Sequence, residues 1–109
     1  MTGTEHLAEN LAAIADIDRL VHTPARLMIL ALLSVVEAAD FTFLLQQTQL
    51  TRGNLSTHLT RLEEGGYIHI EKKFVDRIPR TLIGLTPEGR KAVDSYRENM
   101  KQIIDTLLT

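Results

Sequence analysis

Residues 51–85, TRGNLSTHLTRLEEGGYIHIEKKFVDRIPRTLIGL, limit this chain more than any other stretch, because a short helix must end there and a two-stranded ribbon begin. Thr51 suits the N-cap, its hydroxyl accepting a hydrogen bond from one of the first free backbone N–H groups. Leu50 and Leu55 flank it at the spacing of a hydrophobic staple. Leu55, Leu59 and Leu62 recur at i, i+4 and i+7 and form one inward stripe. At roughly 100° per residue the opposite side carries Gly53, Thr57, Thr60 and Arg61, with Asn54 and Ser56 flanking them. Arg52 opens the helix. That outer face holds donors, acceptors and cations but no large apolar group, and it suits base edges and phosphates. Gly65-Gly66 stops the helix by supplying a left-handed C-cap at little cost.

The ribbon follows at once. Residues 67–73 alternate, with Ile68 and Ile70 on one side and Tyr67, His69 and Glu71 on the other, the pattern of a half-buried strand. Residues 81–85 make the returning strand, with Ile83 and Leu85 towards the core. Between them lies FVDRIPR, residues 74–80, where Asp76 and Pro79 favour a turn. Lys73 precedes it, and Arg77 and Arg80 are expected to project from its tip. Arginines on a loop tip reach a phosphate chain or a narrow groove without burying their charge.

These residues resemble the winged helix-turn-helix transcriptional regulators, the broad group that holds the MarR-like and ArsR-like repressors. The matching pieces are HTPARLMIL at 22–30, ADFTFL at 39–44, LTRGNLSTHLTRLEEGGYI at 50–68, and PRT followed by LTPEGR at 79–90. They span roughly residues 16–97, most of the chain. The resemblance implies a mainly α fold with a small β wing, flanked by N- and C-terminal dimerisation helices. It implies a recognition helix over 51–64 for the major groove and a wing tip over 74–80 for the backbone or minor groove. The implied DNA contacts are Arg52, Gly53, Asn54, Ser56, Thr57, Thr60, Arg61, Lys73, Arg77 and Arg80. Two positions depart from the family pattern. Gln49 stands where relatives often have Gly in the interhelical turn, and Gly84 where many have a larger, often basic residue.

The net charge of −2 and pI near 6.0 argue against a generic nucleic-acid binder. The charge is segregated, however. Residues 51–91 hold eight basic side chains (Arg52, Arg61, Lys72, Lys73, Arg77, Arg80, Arg90, Lys91) against five acidic ones (Glu63, Glu64, Glu71, Asp76, Glu88), a balance of +3. The positive part therefore falls on the expected reading surface, and the acidic remainder limits non-specific affinity. At 109 residues the chain makes one domain. Zero cysteines exclude disulfides, thiolate metal sites and a cysteine nucleophile. No apolar run nears the ~20 residues of a membrane span and no signal sequence opens the chain, so a cytoplasmic protein is expected.

Residues 4–22 read as an amphipathic N-terminal helix, with Leu7, Leu11, Ile14, Leu20 and Val21 on one face. Thr23-Pro24 opens a central helix over 23–38, Thr as N-cap and Pro in the tolerated first position. Its run from Leu27 is apolar almost all round, which suits full burial. Asp40 caps the first helix of a helix-turn-helix over 40–64, with Phe41, Leu44 and Leu45 as core residues. The wing takes 66–85 and the C-terminal helix 86–108. That last helix shows Val93, Tyr96, Met100, Ile103, Ile104 and Leu107 at spacings of three and four, a stripe near coiled-coil period. A continuous stripe on a terminal helix needs a partner, so a homodimer is expected through Tyr96, Met100, Ile103 and Leu107 together with Leu7, Leu11 and Ile14.

No catalytic set, cofactor loop or metal site is expected. The histidines His6, His22, His58 and His69 lie far apart, without the i, i+4 ligand pairing of a helix-borne zinc site. His58 reads as a packed, hydrogen-bonded structural residue. Two function classes remain: a dimeric regulator on a pseudo-palindromic double-stranded DNA operator, or a winged helix used only for protein contact. A small-molecule effector lodged between the central and terminal helices would modify the first.

Overall fold

Turn chemistry and short linkers crowd the elements together in a computed structural model that describes residues 4–108. In chain order they are α1 (Leu7–Ala15), α2 (Pro24–Val35), β1 (Ala39–Asp40), α3 (Phe41–Thr48), α4 (Arg52–Glu64), β2 (Ile68–Val75), β3 (Ile78–Leu85) and α5 (Pro87–Leu108). The sheet is antiparallel in the order β1-β3-β2. None of these helices is long and apolar enough to cross a membrane.

The core forms where three helices and the sheet bring one apolar face each. Arg26, Ile29, Leu30 and Leu33 are the buried side of α2. Leu44 comes from α3, Leu55, Leu59 and Leu62 from α4, and Ile68 and Ile83 from the sheet. Burial of one such Leu or Ile contributes about 1.5–3 kcal/mol. The expected all-round burial of the central helix does not hold, since Met28 and Val35 are exposed. A chain this short lacks the layers to cover a helix on every side.

Local polar groups set several boundaries. Asp40 accepts a hydrogen bond from the Phe43 N–H at 2.7 Å and caps α3, as its position suggests. Thr23 makes no capping bond; its hydroxyl accepts from an Arg26 Nη2 donor at 2.7 Å instead. The left-handed residue after α4 is Gly66, at φ 82°, while Gly65 stays right-handed. Gln49 takes the left-handed turn between α3 and α4 at φ 60°, and its side-chain amide donates to the Gln46 carbonyl at 2.7 Å. Gly84 is buried, and a Cβ there would come within 2.7 Å of the His69 ring.

The N-terminal helix is shorter than its periodicity suggests: α1 ends at Ala15, not at residue 22. Asp18 is the cause. Its carboxylate accepts the Leu20 and Val21 N–H groups at 2.9 and 3.2 Å, which turns the backbone away from the helix. Val21 then drops into the main core. α1 instead packs along α5. The two helices form an arm, so the Cα radius of gyration is 16.7 Å, against about 13 Å for a compact chain of this length.

Candidate nucleic-acid interface

The outer face of α4 is set by its inner one. With Leu55, Leu59 and Leu62 buried, helical geometry turns Arg52, Gly53, Asn54, Ser56, Thr57, Thr60 and Arg61 to solvent, and all seven are exposed. The N-terminus is tied by the Thr51 hydroxyl, which accepts the Asn54 N–H at 3.1 Å. The Arg52 guanidinium lies 5.8 Å from the centroid of the Phe41 ring, a cation–π contact that links α4 to α3. The Thr57 hydroxyl donates to the Gly53 carbonyl at 2.9 Å.

Behind this face sits a residue whose role no local pattern signals. Arg26 on α2 is only 8 % exposed. It donates to the carbonyls of Leu20 and Arg19, to the Thr23 hydroxyl, and from Nη1 to His58 Nδ1 at 3.2 Å. None of these partners is a carboxylate, so the buried cation rests on carbonyl, hydroxyl and imidazole lone pairs. The Arg–His bond fastens α4 to α2. Because an arginine only donates, His58 must accept at Nδ1 and carry its proton at Nε2.

That bond requires a neutral His58. Burial, then the charges of Arg26 and Arg61, hold its pKa below the ordinary 6.5. The folded state therefore resists a proton that the unfolded chain accepts, and stability falls as pH drops through about 6.5 towards the lower folded value. Above that range the group contributes no pH dependence. The urea midpoint is expected to decrease from pH 7.5 to 5, and to decrease less in His58→Gln, which keeps an acceptor but cannot titrate. Identical pH profiles for the two proteins would exclude His58 as the titrating group.

In the wing, the strands run further than the sequence suggests. Phe74, Val75 and Ile78 are aromatic or β-branched and carry the ladder to Val75↔Ile78, leaving a two-residue turn at Asp76-Arg77. Both turn residues have positive φ, 52° and 67°. Such a turn favours Gly in its second place, and holding a longer side chain there costs ~1 kcal/mol or more. The chain keeps an arginine there despite that strain. Arg77 is thus the true tip.

Arg80 is not at the tip. It lies within β3 opposite Lys73, and its Nη1 is 3.6 Å from Asp40 Oδ2. The ladder pulls residues 78–80 into the strand and places Arg80 near β1. Asp40 thereby caps α3 with one oxygen and meets the wing with the other. Lys73, Arg77 and Arg80 are all exposed.

The arm divides the expected dimer residues. Tyr96 packs against the core, with its hydroxyl 2.8 Å from His22 Nδ1. Met100 is half-buried, and Ile103 is 8 % exposed, covered along with Ala13 where α1 lies on α5. Leu107 is 78 % exposed, and Leu7, Leu11, Ile14, Ile104 and Leu108 also face solvent. An uncovered apolar strip therefore runs along both helices of the arm.

The family model described as a winged helix DNA-binding domain matches residues 25–104. The chain belongs to that family. An uncharacterised protein of Methanocaldococcus jannaschii is 34 % identical to this winged-helix protein over 85 residues, spanning 78 % of this chain and 92 % of the relative. A transcriptional regulator homologue from Pyrococcus horikoshii OT3 superposes with a TM-score of 0.81 at 31 % identity, covering 91 % of this chain and 97 % of that one. A regulator of the MarR family from Enterococcus faecalis V583 shares the fold, with a TM-score of 0.65 at 24 % identity, over 90 % and 84 % of the two chains. The winged helix is thus the frame in which the exposed face of α4 and the Arg77 turn are to be understood.

Proposed function

We propose that this winged-helix protein is a sequence-specific, double-stranded-DNA-binding transcriptional regulator that acts as a homodimer. The observation that carries the reading is the exposed face of α4, polar throughout, followed directly by a wing whose tip holds Arg77 in a strained turn. In this role α4 lies in the major groove. Asn54 and Arg61 can each form two hydrogen bonds to a purine edge, a pairing that gives ~1–3 kcal/mol of discrimination. Arg52, Ser56, Thr57 and Thr60 serve bases and adjacent phosphates, and Gly53 allows close approach of the backbone. Lys73 and Arg77 meet the phosphate chain from the wing, while Arg80 shares its charge with Asp40.

Pairing through the apolar strip on the arm fits two recognition helices to one side of a duplex. Half-sites spaced about 34–36 Å, one helical turn, then make the operator an imperfect palindrome.

Arg77→Ala tests the DNA reading. Loss of one phosphate contact is expected to weaken binding about equally on all sequences and reduce the slope of log K against log salt by ~1. A slope equal to that of the wild type removes Arg77 from the interface. A wild-type protein without any salt-sensitive duplex binding sinks the regulator reading itself.

A further inference from the structure

The wing carries more apolar surface than gripping a phosphate chain requires. Phe74 is 75 % exposed, Ile78 51 % and Val75 42 %. The register sets Phe74 across from Pro79, and Val75 across from Ile78. Strand alternation puts Phe74 on the ribbon face that lower down presents Ile68 and Ile70 to the core. At Phe74 that face has run past the core and is covered by nothing among the described residues. Three exposed cations, Lys72, Lys73 and Arg77, lie along the ribbon end, against two exposed acids, Glu71 and Asp76, while Arg80, opposite Lys73, meets Asp40.

Resting on the reading that α4 binds duplex DNA, we propose that the apolar wing tip is a minor-groove wedge. Phe74, backed by Pro79, enters at a base step and partly unstacks it, while the flanking cations neutralise phosphates on either side. Charge favours this occupant. A ribbon end whose exposed cations outnumber its acids attracts a polyanion, and apolar side chains inserted between base steps kink DNA in some β-ribbon binders. A second copy of the chain suits the tip poorly. Both edges of the ribbon are free at the tip, because β1 pairs only with Leu82 and Ile83 of β3; Lys72 and Lys73 on one strand and Pro79 and Arg80 on the other oppose strand-to-strand addition. Three side chains also fall well short of the ~800 Å² per partner that a stable protein interface buries. The wedge adds a second mode of recognition. Unstacking is cheapest at pyrimidine–purine steps, so the protein selects a flexible step where it makes no base hydrogen bond.

The test uses the full chain and duplexes of about 30 base pairs, a length over which protein-induced bends are measurable, recovered from a random pool by the wild-type protein. They carry a fluorophore pair at the ends, or 2-aminopurine at successive steps. Wild-type binding is expected to raise end-to-end energy transfer and to raise 2-aminopurine fluorescence several-fold at one step per half-site. Phe74→Ser is expected to abolish both signals and the preference for a pyrimidine–purine step, while leaving the bases selected by α4 unchanged. Phe74 is exposed, so an unchanged thermal midpoint confirms the variant is folded. Wild-type complexes that stay straight and stacked overturn the wedge and leave the regulator reading intact. Equal bending by Phe74→Ser overturns it too, as does loss of self-association in that variant. Recovery of no duplex at all overturns both readings together.

Discussion

Leu107→Glu is expected to sediment as a monomer where the wild type sediments as a dimer, and to bind its operator ~10²- to 10⁴-fold more weakly, the usual gain from linking two sites. The side chain is 78 % exposed on the arm, so the isolated chain loses little by the change. In a paired arm the new carboxylate would be buried without a partner, at a cost of several kcal/mol. Leu11→Glu, on the same uncovered strip of α1, is expected to behave alike. Ile103→Glu is a different experiment. Ile103 is covered by its own chain, so a charge there would loosen α1 from α5 before any dimer contact was tested. Sedimentation and thermal melting of the three variants separate these effects. A wild-type monomer at tens of micromolar would refute the dimer.

Gly89→Ala is expected to lower the thermal midpoint sharply, although alanine is the better helix former by about 1 kcal/mol. The first turn of α5 rests directly on the backbone at the start of the wing. A Cβ at Gly89 would stand 2.0 Å from the Tyr67 carbonyl oxygen and 2.9 Å from its carbon. The neighbouring atoms are already bonded and cannot easily retreat. Tyr67 O accepts the Thr86 N–H at 3.1 Å, and the Thr86 hydroxyl donates to Gly66 O at 2.6 Å while accepting the Gly89 N–H at 2.9 Å. The Tyr67 hydroxyl donates to Asp18, which pushes its pKa up to about 12 and ties the N-terminal segment to the same point. Overpacking of this kind costs about 1–3 kcal/mol, and each kcal/mol lowers Tm by roughly 4–8 °C in a domain of this size. Gly53→Ala is the control. Nothing lies within 4 Å of its Cβ position, so that midpoint is expected to hold or rise. A midpoint for Gly89→Ala at or above that of Gly53→Ala would contradict the packing account.

The family and the main elements were legible in the sequence because the signals for them are local. The Thr51 cap, the leucines at i, i+4 and i+7, the two glycines after α4 and the alternation from residue 67 each act within a few residues of themselves. Geometry alone then turns Arg52, Asn54 and Arg61 outward once Leu55, Leu59 and Leu62 turn in. Tertiary structure decided what depends on residues far apart in the chain. The periodicity of residues 4–22 gave no sign that Asp18 would take two backbone N–H groups and send Val21 into the core. The β-forming Phe74, Val75 and Ile78 let the ladder reach Val75↔Ile78 and leave Arg77 at the tip, but only the packing of β1 beside β3 turned Arg80 towards Asp40. No local pattern marks Arg26; only the return of α4, with His58, makes it a buried anchor. The stripe on α5 was visible, but not which of its residues α1 would cover. A periodic pattern states that a face is apolar, whereas its partner is chosen by how the whole chain closes around it.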